Sequence, residues 1–250
     1  MALSLSTYFR IKALYPPICL LCGDAGTHGH DLCAACFGEL PWNRRPCPRC
    51  AAPLPMDADT PLCGSCIRSL PAWDEARSPL SYAYPLDKLI QRFKFDGDLP
   101  TGRLLAELLA DYLAAGNDAR PDLIIPVPLH PSRLKERGFN QAVELARPVG
   151  RRLKIPVRLD VCERVRATEV QSKLDAVERK KNLRDAFAVK KSVDGKHVAL
   201  LDDVITTGAQ ATAFEDGVPR SPRGAFAARP SLLFSVGRGG RAPRDRKSVV

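Results

Sequence analysis

Eight of the nine cysteines lie within residues 19–66, and all eight pair as Cys-x-x-Cys: Cys19/Cys22, Cys33/Cys36, Cys47/Cys50 and Cys63/Cys66. A two-residue gap sets both thiolates on one tight turn, and two such turns make the tetrahedral sulfur set that zinc prefers. The spacing predicts two sites, Cys19, Cys22, Cys33, Cys36 and then Cys47, Cys50, Cys63, Cys66. An interleaved cross-brace joining the first pair with the third is the alternative. Four sulfurs leave no open position for a water, so the zinc is structural. His28 and His30 lie between the first two pairs and read as loop residues. A disulfide framework fits poorly: the first residues lack a secretory pattern, because Arg10 and Lys12 interrupt the apolar stretch.

A second chemistry sits in Val198-Ala-Leu-Leu-Asp202-Asp203-Val-Ile-Thr206-Thr207-Gly208-Ala209. An apolar strand ends in two adjacent carboxylates, and a Thr-Thr-Gly turn opens a helix. Asp202 and Asp203 can accept hydrogen bonds from a vicinal diol. The hydroxyls and amides of residues 206–209 make an anion nest at a helix start. A diol and a phosphate held close together describe a ribose 5-phosphate. Two like charges side by side are unfavourable without a ligand or a cation, which argues against a simple turn cap. A nucleotide-hydrolase reading would need a Gly-x4-Gly-Lys-Ser/Thr loop, and the chain has none.

The third candidate is basic. Residues 133–191 hold 17 basic and 8 acidic side chains, net +9 out of a chain total of +10. Arg133, Lys135 and Arg137 fall on a short loop after the apolar run ending at Val127. Three cations at a strand's carboxyl end suit a pyrophosphate. His130 reads as a turn residue, Lys180 and Lys181 as a solvated helix face, and Cys162 as core.

The elements that must carry these groups alternate. Ser81–Tyr84, Asp122–Val127, Val157–Cys162, Ala186–Val189 and His197–Asp202 read as strands. Pro85–Phe95, Thr101–Ala115 and Gly138–Arg152 read as helices, Leu104, Leu105, Leu108, Leu109, Tyr112 and Leu113 forming one apolar stripe, with Thr101 as the N-cap. The Pro- and Ser-bearing stretch Ser69–Pro79 separates them from the cysteine module. Strands alternating with helices imply a mostly parallel α/β sheet, in which ligands bind beyond the carboxyl ends of strands. That rule selects the loops after Val127 and after Leu201.

These blocks resemble the ComF family of competence proteins. Val198–Ala209 is similar to that family's phosphoribosyl-pyrophosphate (PRPP) motif, shared with type I phosphoribosyltransferases. Pro126-Val-Pro-Leu-His-Pro-Ser-Arg-Leu-Lys-Glu-Arg-Gly-Phe-Asn-Gln-Ala142 resembles a second hallmark, and the four cysteine pairs resemble its N-terminal double zinc ribbon. Gln171 and Glu178–Arg184, followed by Ala186 and Phe187, resemble a further block. The resemblance implies a double zinc ribbon ahead of a type I phosphoribosyltransferase-like parallel sheet. Asp202 and Asp203 would hold the ribose hydroxyls, and Thr206, Thr207, Gly208 and Ala209 would cradle the 5-phosphate. Residues 129–138 would face pyrophosphate, with Mg2+ accompanying PRPP, and residues 163–181 would form a hood loop.

The expected organisation is a ribbon with an N-terminal helix over 1–68, a phosphoribosyltransferase-like domain over 78–210, and an aberrant basic tail over 211–250. The tail drifts into Arg, Gly and Pro as a frameshift or adapter read-through would, with Ser231–Val236 its one strand candidate. The sheet is therefore expected to be C-terminally incomplete, lacking the helix after Gly208 and a further strand. Ordinary composition, 45% apolar and 26% charged, excludes wholesale disorder, and no apolar run reaches 18 residues. The reading is a cytoplasmic protein of DNA uptake that binds PRPP. The alternatives are an active phosphoribosyltransferase with an unassigned nitrogen acceptor, or a single-stranded DNA-binding accessory acting with other competence proteins.

Overall fold

A computed structural model describes residues 17–27, 29–71, 73–116, 120–167 and 186–204, together with the backbone of 229–233 and 237–238. The N-terminal helix, the block from Gln171 to Arg184, and Thr206–Ala209 lie outside the described residues.

Two short helices, α1 (Ala34–Glu39) and α2 (Gly64–Arg68), each have a cysteine at the N-cap position. Then come β1 (Glu75–Arg77), β2 (Ser81–Tyr82), α3 (Leu86–Phe95), α4 (Leu99–Ala115), β3 (Leu123–Pro126), α5 (Pro131–Arg137), α6 (Gln141–Leu153), β4 (Cys162–Arg164), β5 (Phe187–Val189), β6 (His197–Leu201), β7 (Arg229–Leu233) and β8 (Gly237–Arg238). The main sheet has the order β1-β7-β6-β3, and every pair in it is parallel. The fold is thus mixed α/β, a parallel sheet behind a double ribbon.

Strands β3 and β6 are buried on both faces, which is why they read as unbroken apolar runs. Alternate residues take opposite sides. Ile124, Ala199 and Leu201 join the core under α3, α4 and α6. Leu123, Ile125, Val198 and Leu200 join a second core with Trp73, Ala76, Cys162 and Phe187.

Several expectations need correction. The stretch Ser69–Pro79 is not only a separator, since it contributes edge strand β1. Val157 makes only an isolated bridge to Ile124, and the strand begins at Cys162, pairing antiparallel with β5. The N-cap of α4 is Asp98, not Thr101: its carboxylate accepts from the Thr101 amide and hydroxyl, which leaves Pro100 in the first turn where no N–H is needed. The segment after residue 210 contributes β7, beginning two residues ahead of the Ser231–Val236 candidate and pairing with both β6 and β1. An unpaired β6 would leave an open row of backbone donors and acceptors.

The ribbon shares its core with the sheet domain. Cys19, Leu32, Cys33 and Leu40 pack in the same cluster as Leu86, Leu89, Ile90 and Phe93 of α3 and Leu104 and Leu105 of α4. Arg92 on α3 donates to the Leu20 carbonyl inside the first cysteine turn at 2.7 Å. Arg103 on α4 pairs with Asp31. The α3–α4 contact is tight at Gly102, where a Cβ would run into the Phe93 ring.

Candidate metal centres and a strand-end anion site

The eight cysteines form two separate clusters, Cys19/Cys22/Cys33/Cys36 and Cys47/Cys50/Cys63/Cys66, with the sulfurs of each within 4.8 Å of one another. The first pair joins the second and the third joins the fourth, so the sequential pairing holds and the cross-brace does not. Tetrahedral sulfurs about 2.3 Å from zinc stand about 3.8 Å apart. Cys22 and Cys33 are 3.6 Å apart, and Cys50 and Cys63 are 3.5 Å apart.

The electrostatics of the thiols are consistent with a shared cation. Burial alone would raise Cys19, but backbone N–H groups of Cys33, Cys22 and Leu21 bring it down to about 6. Cys47 is likewise brought to about 7 by the amides of Cys63, Cys50 and Arg49, against its burial. Their neighbours go the other way. Burial and adjacent sulfurs raise Cys36 and Cys50, and burial with its neighbours pushes Cys66 up to about 12. One thiolate per cluster is favoured and the next is opposed, the pattern a divalent ion resolves. The two four-cysteine clusters fit two structural zinc ions.

His30 is not a ligand. Its Nδ1 lies 3.3 Å from Glu107 Oε2 and its Nε2 lies 3.2 Å from Asp111 Oδ2, both on α4, so it docks the ribbon on the helix. His28 lies outside the described residues.

The second site follows from strand pairing. Ile125 is paired with Leu200 and Pro126 with Leu201. The ladder closes on Val127 N–H donating to Leu201 O at 2.9 Å. The loops selected by sequence therefore leave adjacent strands at their carboxyl ends. Asp202 and Asp203 stand at that end of β6, Asp203 buried at 8% exposure. Asp202 Oδ1 accepts from the Asp203 amide at 2.8 Å, so it caps its own turn. Burial, reinforced by the neighbouring Asp203 charge, pushes Asp202 up to about 7, against the pull of Lys94 and Arg164.

The basic segment is not the loop expected but a helix, α5. His130 caps it, its Nδ1 accepting from Ser132 N at 3.3 Å, and Gly138 ends it at φ +77°, a conformation that favours glycine. Helical spacing separates the three cations. Arg133 and Arg137 are four residues apart and share a face, while Lys135 points elsewhere. Arg133 pairs with Glu136 at 2.6 Å. Arg137 donates to Gln141 Oε1 at 3.1 Å and covers the Phe95 ring at 5.9 Å. Asn140 fixes the far end: its side chain accepts from the Ala142 amide and donates to Val127 O at 3.1 Å. Cys162 is core, its thiol pushed up to about 12 by burial.

Two cations near the acidic pair were not singled out from sequence. Lys94, on α3, reaches Asp203 Oδ2 at 2.9 Å. Arg164, on β4, lies over the Phe187 ring at 5.5 Å and within charge range of both Asp202 and Arg133. Lys94 is 109 positions from Asp203 in the chain, so no local spacing could reveal the pair.

Comparison with known proteins agrees with this architecture. A double zinc ribbon domain matches residues 10–67. Competence protein F of Haemophilus influenzae is 37% identical over 204 residues, covering 76% of this chain and 86% of that protein. The chain belongs to the competence protein F family. Within it, the DNA utilization protein YhgH of Escherichia coli K12 is 35% identical, with 78% of this chain and 87% of that protein covered. Competence protein ComFC of Bacillus subtilis is 31% identical, over 65% of this chain and 67% of that protein. A crystal structure of TT1426 from Thermus thermophilus overlaps 59% of this chain and 86% of that chain at 19% identity. Its TM-score of 0.27 is too low to carry an argument. No helix among the described residues is long and apolar enough to cross a membrane.

Proposed function

We propose that this member of the competence protein F family serves DNA uptake and use by binding a phosphoribosyl ligand, PRPP, at the carboxyl ends of β3 and β6. The observation that carries the reading is the parallel β3–β6 pairing, which starts the loop to α5 and the Asp202–Asp203 pair at adjacent strand ends. Carboxylates suit the ribose diol, and the hydroxyls of Thr206 and Thr207, next in the chain, suit the 5-phosphate. Arg133, and Arg164 beside it, suit the pyrophosphate. The relatives named for competence and for DNA utilization support the cellular role.

If the bound PRPP reacts, a nitrogen nucleophile forms a bond to C1 of the ribose as the bond from C1 to pyrophosphate breaks. The leaving pyrophosphate carries the bonding electron pair, and the nitrogen releases its proton to pyrophosphate or solvent. The side chains here would then act by orientation and charge, with no protein group in covalent linkage.

A second reading, a strand-binding accessory, is favoured by Phe95. Its ring is 73% exposed beside the Arg137 guanidinium. An exposed aromatic next to a cation is what a nucleic-acid base stacks on. Calorimetry with PRPP and with a single-stranded oligonucleotide separates the readings. PRPP binding lost in Asp202→Asn with Asp203→Asn supports the first. Strand binding without PRPP binding, weakened by Phe95→Ala, supports the second.

A further inference from the structure

The acidic pair faces an electrostatic problem that the phosphoribosyl reading leaves unsolved. Two adjacent carboxylates share one strand end, and Asp203 is buried. Without a ligand, something must offset their repulsion. Lys94 is placed to do so: its ammonium lies 2.9 Å from Asp203 Oδ2, the lysine side chain 21% exposed and the aspartate 11%. Arg164 contributes from β4 to Asp202, on which Lys94 acts more strongly, and only Lys94 is in direct contact with Asp203 among the described ion pairs.

The position of Lys94 is well determined. It is the last residue but one of α3, whose Leu86, Leu89, Ile90 and Phe93 are buried. Two residues earlier, Arg92 ties the same helix to Leu20 O in the first cysteine turn and to Asp98 Oδ2 at 2.5 Å. The tight Phe93–Gly102 contact fixes α3 against α4. The lysine is thus delivered by a helix braced at three places.

We propose that Lys94 is a positioning residue for the acidic pair: its ammonium holds the Asp203 carboxylate at the strand end, ready for a ribose hydroxyl. The inference deepens the phosphoribosyl reading and rests on it for the identity of the ligand. The contact with Asp203 does not depend on that identity. A plain surface lysine would be replaceable by any residue of similar length. A positioning cation is replaceable by arginine and not by methionine, which keeps the length and loses the charge.

The test uses the full chain loaded with zinc. Calorimetry with PRPP and Mg2+ should show Lys94→Met weakened about tenfold or more, with Lys94→Arg recovering most of the loss. Native affinity in Lys94→Met would overturn the proposal. If the native chain binds no PRPP at about 1 mM, the phosphoribosyl reading fails and Lys94 is judged by a urea double-mutant cycle. Lys94→Met should then lower the folding equilibrium about tenfold in the native chain and hardly at all in Asp203→Asn. Equal losses in both backgrounds would overturn it.

Discussion

Val127 and Leu201 are joined by one backbone hydrogen bond, Val127 N–H to Leu201 O at 2.9 Å, and the two candidate ligand loops start from those residues. The strand that ends in Asp202 is thereby locked in register against the strand that feeds α5. The carboxylate pair and the basic helix are placed by this ladder, so the sheet itself sets the two candidate loops side by side.

The first prediction concerns Asp202. Its carboxyl is held at about 7 by burial and by Asp203. In the folded protein it keeps a proton that the unfolded chain releases near pH 4. Stability from this group is therefore lost as pH rises from about 4 to about 7. Asp202→Asn should melt several degrees above the native chain at about pH 8, with the gap closing towards about pH 5. Thermal melts of both proteins at the two pH values decide it. A variant that melts lower at pH 8 would contradict the raised Asp202 carboxyl.

The second concerns the metal centres. Cys36→Ser and Cys50→Ser belong to different clusters, so each should lower the zinc content from about two ions per chain to about one. Chelation of the first ion should also increase amide exchange in α3 and α4, because Cys19 and Cys33 share their core. Elemental analysis and hydrogen exchange provide the readouts. Unchanged protection of α3 after chelation would mean that the ribbon folds without supporting the domain.

The third compares two arginines at the ribbon interface. Arg92 donates to a carbonyl in the cysteine turn and to Asp98, whereas Arg103 is 60% exposed in its pair with Asp31. Arg92→Ala should cost about 1–3 kcal/mol in urea denaturation and Arg103→Ala under about 1 kcal/mol. The reverse order would place the weight of docking on the exposed ion pair.

A fourth tests the brace on Lys94. Gly102→Ala puts a methyl into the Phe93 ring. Overpacking of this kind costs about 1–3 kcal/mol. Because the ring lies one residue from Lys94, the variant should also weaken ligand binding. Melting and calorimetry together check it, and a stable variant with native binding would show that α3 tolerates displacement.

Much of this was legible in the chain. The cysteine spacing showed two four-sulfur sites, but the gaps of ten to twelve residues between successive pairs do not choose between sequential and interleaved pairing, which only the folded clusters decide. The run His197–Leu201 read as a buried strand because both its faces are covered. The helix α5 was missed because His130-Pro131-Ser132 and Gly138 signal a turn, while only the cap on His130 and the left-handed stop at Gly138 show that the residues between them are helical. Edge strand β1 carries only Glu75-Ala76-Arg77, too short and too polar for a periodic signal. Lys94 was out of reach for a different reason: its partner is supplied by tertiary packing, not by spacing.

The most direct measurement is isothermal titration of PRPP with Mg2+ into the zinc-loaded full chain, beside the Asp202→Asn/Asp203→Asn double variant. The account predicts saturable one-to-one binding to the native chain and its loss in the variant, with the zinc content of the two proteins equal. Absence of binding to the native chain, or equal binding to both proteins, would contradict it.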